Sequence, residues 1–119
     1  MNRQRKFEKI IALLENLNVK YEVQTDSGSL QLYLKPQISM SENNNRYDRY
    51  DPKYFEICID EKEYVFMQID DYQWEFDENF ERALPEIDKY VKAFVSDRLV
   101  QKTMKIGPFV FNRKLEIKS

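Results

Sequence analysis

The residues best equipped for chemistry lie in one acidic and aromatic run, Asp70-Asp71-Tyr72-Gln73-Trp74-Glu75-Phe76-Asp77-Glu78-Asn79-Phe80-Glu81. Six of its twelve residues are acidic and four are aromatic. Two adjacent carboxylate pairs, Asp60-Glu61 and Asp70-Asp71, are candidates for acid–base work. Such pairs on turns diverge, and an exposed turn does not raise a pKa by burial, so catalysis is not expected from them. Cys58 is the only cysteine. It falls mid-strand with no histidine to activate it, and it reads as a small packing residue or an outward thiol. The 119 residues contain no histidine at all. That excludes Ser-His and Cys-His nucleophile pairs and every histidine-containing zinc site. With only Gly28 and Gly107 available, there is no glycine-rich phosphate cradle. A calcium loop would need regularly spaced oxygen ligands and a glycine at the bend, and residues 70 to 81 lack that pattern. No catalytic residue, metal or cofactor is expected.

The charge balance is uneven along the chain. Net charge is −2, but residues 1 to 41 carry +2, residues 42 to 88 carry −10 and residues 89 to 119 carry +6. Crowded carboxylates repel one another unless a cation or a basic partner is near. Trp and Tyr beside them offer apolar area suited to binding hot spots. The expected partner-binding set is therefore Asp70, Asp71, Tyr72, Trp74, Glu75, Asp77, Glu78 and Glu81, facing a basic protein. The competing expectation makes Trp74, Phe76 and Phe80 core residues and the acids a solvated rim. Lys102, Lys105, Arg113, Lys114 and Lys118 interleave with Phe109 and Phe111, a pattern compatible with nucleic acid. The acidic pI near 5.3 argues against direct nucleic-acid binding.

These residues need elements to position them. Phe7, Ile10, Ile11, Leu14 and Leu17 form one stripe of an amphipathic helix over residues 3 to 18. Arg3, Arg5, Lys6, Lys9 and Glu15 are assigned mostly to its outer face. Asn18 suits the left-handed conformation that ends a helix. From Val19 the period becomes two. Val19, Tyr21 and Val23, then Leu30, Leu32 and Leu34, flank the turn cluster at 25 to 29 and predict a hairpin. Pro36 ends its second strand. Residues 37 to 53 have no period and read as a long mobile loop, in which Tyr47 and Tyr50, and Tyr54 at its end, with Arg46 and Arg49 are interface-type residues beside the alternative of a solvated loop. A meander follows over 54 to 76. The residues that share a face in its strands are Phe55, Ile57 and Ile59, then Val65, Met67 and Ile69, then Tyr72, Trp74 and Phe76. Asp77 is a candidate N-cap for a second helix. Its stripe runs through Leu84, Ile87, Val91, Phe94 and Val95 towards Leu99, with Pro85 expected to break it, kink it or begin a new helix. A hairpin or extended tail closes the chain after Gly107-Pro108.

The predicted fold is α+β: one domain over residues 1 to 119, an antiparallel sheet of about five strands with two helices on one face. No run of 18 apolar residues is present, so no membrane partner is expected. Glu8 interrupts the N-terminal residues before any apolar run, so no secretory signal is expected. The unpaired cysteine suits a reducing, cytoplasmic setting. The oligomeric state is left open by these patterns.

The helix-first layout, the missing histidine and the acidic-aromatic run from Asp70 to Glu81 resemble small immunity proteins of bacterial toxin systems. The resemblance implies a non-enzymatic inhibitor that occludes a basic, nuclease-type toxin. The same features resemble phage anti-defence inhibitors, including anti-CRISPR proteins, which imply the same stoichiometric mechanism against a nucleic-acid-binding effector. A third reading is an interaction module with no inhibitory role.

Overall fold

The computed structural model describes residues 2–26, 28–35, 52–76 and 80–118; at Asp26 and over 101–106 and 109–113 it describes the backbone path alone. The first helix, α1 (Arg3–Asn16), starts where the Asn2 side chain accepts the Arg5 N–H at 2.9 Å. That bond satisfies one of the amides a helix start leaves without a partner. Its end is set by Asn18 at φ 56°. The Asn18 N–H donates to the Glu15 carbonyl and the Val19 N–H to the Leu14 carbonyl, closing the last turn in the Schellman pattern.

The chain then alternates at period two through β1 (Tyr21–Asp26), β2 (Ser29–Leu34), β3 (Phe55–Ile59), β4 (Val65–Ile69) and β5 (Tyr72–Phe76). These pair in sequence order as one antiparallel sheet. Gly28 holds the first turn at φ 86°, and a Cβ there would lie 2.8 Å from Glu61 Oε1. Leu32, Ile57, Met67 and Ile69 are almost wholly buried on the inner face, with Ile10 and Leu14 of α1 in the same core. The second helix, α2 (Phe80–Val95), lies against β4 and β5 and buries Ile87, Val91 and Phe94. Phe94 meets Phe55 edge-on at 5.2 Å between ring centres. The predicted α+β fold is the observed one, including its five-stranded sheet and two covering helices.

Several local expectations change. Lys6 is buried, although the charge pattern placed it outside. Its ammonium donates to the Glu63 carbonyl at 2.7 Å and lies 5.9 Å from the centre of the Phe80 ring. The long methylene stem lets a lysine bury its length and still find a polar partner. Val23 shares the inner face with Leu32 but is 48% exposed. The period identifies its face correctly; no described element covers it there. Helix α2 continues through Pro85, which sits in its second turn on the exposed side. The ring removes one N–H donor to the Glu81 carbonyl, and Glu81 is itself exposed. The helix stops at Val95 rather than near Val100. Asp97 at φ 60° and the Arg98 N–H bond to the Ala93 carbonyl close it.

Leu99 then opens β6 (Leu99–Ile106), which pairs with β7 (Phe109–Ile117) as a separate two-stranded ladder. Leu99 and Leu115 anchor this hairpin in the core. The expected loop at 37–53 lies outside the described residues except for Pro52 and Lys53.

Two measurements check this packing. In urea titrations Ile57→Ala should cost about 2–5 kcal/mol, while Val23→Ala should cost under about 0.5 kcal/mol. Equal losses would mean that both side chains are equally covered. Lys6→Met keeps the apolar stem and removes the charged donor, and should cost about 1.5–3 kcal/mol. A neutral result would show that the Glu63 bond adds nothing to the fold.

Candidate functional site

The two faces of the sheet differ in kind. Positions that alternate with the core project from the outer face, which no described element covers. Cross-strand register builds two rows there. One runs Glu22, Tyr33, Glu56, Gln68, Gln73; the other runs Gln24, Gln31, Cys58, Phe66, Glu75. Directly opposed residues in an antiparallel sheet share a face and stand roughly 4.5–5.5 Å apart. Carboxylates, amides and aromatic rings therefore form one continuous surface, and neither row contains a cation.

Tyr33 and Tyr54 meet edge-on there, 6.0 Å between ring centres. The Tyr33 hydroxyl donates to Gln31 Oε1 at 3.2 Å. Burial, reinforced by the neighbouring Glu56 carboxylate, holds the Tyr33 phenol above its ordinary value of 10. The same two causes raise Tyr54. Burial also raises the Cys58 thiol, with Glu56 and Asp60 adding to it, which is the opposite of the shift an activated nucleophile needs. Glu22 is bridged by Lys35 at 2.8 Å, with both side chains about half exposed. An exposed pair of this kind is screened and contributes little to stability.

Of the eight partner-binding residues expected from sequence, the six described ones are spread over a turn, both faces of β5 and α2. Asp70 forms the β4–β5 turn at φ 50°. Its Oδ1 accepts the Lys53 and Tyr54 N–H groups at 3.1 and 2.9 Å, so it ties the incoming chain to the sheet. Asp71 is exposed beside it. Tyr72 and Trp74 point to the helix side, half-buried against the core. The Trp74 ring lies 4.7 Å from the Tyr90 ring of α2, a contact worth about 0.5–1.5 kcal/mol beyond area burial. Glu75 projects the opposite way, onto the outer face. Glu81 is exposed on α2. Asp77 and Glu78 lie outside the described residues.

The other acidic pair behaves like Asp70-Asp71. Asp60 Oδ1 accepts the Lys62 and Tyr64 N–H groups, both at 2.9 Å, and so builds the β3–β4 turn. Asp60 and Asp70 stand at opposite ends of β4, with no joint role in proton transfer. Among the described residues no group of three or more Cys, Asp or Glu could hold a metal ion.

Sequence reasoning passed over Tyr33, Glu56 and Phe66, and counted Tyr54 only among the interface-type tyrosines of the loop before β3. They fall on the polar phase of their strands, and the clue lay in that phase itself. Aromatic rings at positions that should be solvated, alternating with acids, add apolar contact area to a charged surface. No protein-family model, curated protein sequence or solved structure matches this chain.

The raised phenols predict a pH response. In the unfolded chain these tyrosines ionise near pH 10, and in the fold they ionise higher. Above pH 10 the unfolded state therefore holds fewer protons, and stability falls as pH rises. Below that point the contribution is fully present. Denaturant titrations from pH 8 to 11 should show a shallower alkaline decline for Tyr33→Phe than for the wild type. Identical slopes would show that Tyr33 does not carry this linkage.

Proposed function

We propose that this chain is a non-enzymatic inhibitor that binds a basic partner protein and occludes it, as immunity proteins do with nuclease-type toxins. One observation carries the reading: the outer sheet face, which no described element covers, combines Glu22, Glu56 and Glu75 with Tyr33, Tyr54 and Phe66, and no cation stands in the two rows built there by register. Carboxylates spaced across strands offer negative charge to a groove that normally receives phosphates. Aromatic rings supply the contact area that charge alone lacks. A sheet is a stiff platform, so little side-chain or backbone order has to be gained on docking.

This places the contact partly away from the 70–81 run. Glu75 belongs to both. Trp74, engaged with Tyr90, is a packing residue in this reading, and Tyr54 takes the anchor role. An anti-defence inhibitor acting on a nucleic-acid-binding effector would use the same surface, and the identity of the captured partner separates the two.

The test couples capture to kinetics. Wild-type protein and the Glu56→Lys, Glu75→Lys double variant are used as bait in extracts of the native host. The expected result is a basic protein retained by the wild type alone, whose activity the wild type inhibits at one-to-one stoichiometry. With that partner in hand, the double variant should associate several-fold more slowly at low salt. The gap should narrow as salt rises, because the screening length shrinks to about 8 Å at physiological ionic strength. Tyr54→Ala should act mainly on dissociation. Thermal melts of each free variant establish that the fold is intact. Equal association rates at every salt concentration would remove the outer face from the contact and the reading with it.

A further inference from the structure

One corner of the outer sheet face has the makings of a cation site. Tyr33 on β2 stands directly opposite Glu56 on β3, and Glu56 stands opposite Gln68 on β4. Tyr54 lies two residues before Glu56 and shares its face. The Tyr33 and Tyr54 ring planes meet at 67°. In such an edge-to-face pair one ring uses only its edge, so its own faces take no part in the contact. Burial raises both phenols, and the Glu56 carboxylate adds to the rise in each, so its charge reaches both rings. Among the described residues no lysine or arginine forms an ion pair with Glu56.

The corner is also held in place. Asp70 Oδ1 accepts the Tyr54 N–H at 2.9 Å, and the Asp70 N–H donates to the Tyr54 carbonyl at 3.0 Å. The Tyr33 hydroxyl is tied to Gln31 Oε1. Gln68 is oriented by its Nε2, which donates to the Asp70 carbonyl at 2.8 Å. Its Oε1 then remains an acceptor in the same row as Glu56, taking only a long bond from Gln73 at 3.4 Å.

We propose that this corner receives an arginine side chain of the basic partner, its guanidinium lying on a ring of the Tyr33–Tyr54 pair with the N–H edge turned to the Glu56 carboxylate and to Gln68 Oε1. The inference deepens the inhibitor reading and rests on it for the owner of that arginine. The geometry selects a guanidinium over an ammonium. A planar guanidinium stacks on an aromatic face and keeps its fork of donors at the rim, where neighbouring acceptors on adjacent strands can share them. An ammonium is a compact, strongly hydrated charge. A sheet face meets it from one side only and replaces little of its water.

The probes are N-acetyl-arginine amide and N-acetyl-lysine amide. Each is titrated at constant ionic strength into the full chain carrying ¹³C-labelled tyrosine rings. The arginine amide should move the Tyr33 and Tyr54 ring signals together along one saturating curve, with a midpoint of about 10 mM or lower. The lysine amide should bind about threefold more weakly or worse. Glu56→Gln should weaken arginine binding about fivefold. Tyr54→Leu should weaken it as well, through the lost ring. Glu8→Gln makes the same charge change at an exposed site of α1, on the other side of the sheet, and should leave the midpoint where it is. Thermal melts establish that each free variant is folded. Because the probes need no partner, the two readings fail separately. Arginine-selective shifts without any captured basic protein would keep the corner and remove the inhibitor reading. A captured partner whose association depends on Glu56, with no saturating tyrosine shift, would do the reverse. Lysine amide binding as tightly as arginine amide overturns the proposal, as does equal weakening by Glu8→Gln and Glu56→Gln.

Discussion

Two helices have to cover a sheet five strands wide. Strands lie about 4.8 Å apart, so the outermost strand axes are separated by roughly 19 Å before any side-chain margin. Packed helix axes lie 8–10 Å apart. Such a pair shields the central strands fully and cannot also reach past both edges. With α2 placed against β4 and β5, the shortfall falls at β1. Burial follows that gradient: Ile69 and Leu32 are at 0% exposure, and Val23 is at 48%. Among the described elements, the low coverage at β1 is a consequence of the number available, and not of a weak strand.

The same constraint explains the position of Lys6. Where α1, the β3–β4 turn and the start of α2 converge, the space is enclosed but contains a backbone carbonyl turned inward by Glu63 at φ 69°. A buried carbonyl without a donor costs more than a hydrogen bond gains, so a donor on a long stem is the residue type that fits. An ammonium supplies it and adds attraction to the face of Phe80. Asp60 and Asp70 do related work at opposite ends of β4, each collecting two backbone N–H groups with one carboxylate oxygen. Acidic residues that look like catalytic pairs in sequence thus serve as turn architecture.

Period shows which residues share a face; it does not show what covers that face. The inner positions of β3 and β4, the stripe of α1 and the helix-ending role of Asn18 were legible because each depends on local spacing or backbone conformation. Lys6 and Val23 were misplaced because their burial depends on neighbours distant in sequence. Pro85 was misread because its cost depends on whether the orphaned carbonyl meets solvent. For the candidate site, the acidity of the middle segment was legible. The division of β5 was also implicit in its alternation, with Trp74 turned to α2 and Glu75 turned to solvent. Adding the acids of residues 70 to 81 as one surface ignored that alternation. The aromatic content of the outer face was written at the polar phase of three strands and emerges only once the strands are registered side by side.

Registration also decides whether charge separation along the chain becomes charge separation in space. Every strand here pairs with its neighbour in sequence. A meander of this kind keeps a segment's residues together, whereas a crossover topology would interleave distant segments and mix their charges. The ion pairs Lys35–Glu22, Lys89–Glu86, Lys92–Asp88 and Lys114–Glu116 each close within one helix or one hairpin. Two of them, Lys89–Glu86 and Lys92–Asp88, join the acidic segment to the basic one within α2, so part of the separation along the chain is cancelled there. Across the sheet, Glu56 and Glu75 stand in rows that hold no lysine or arginine. Carboxylates spaced in this way attract positive charge over a screening length of about 8 Å at physiological ionic strength.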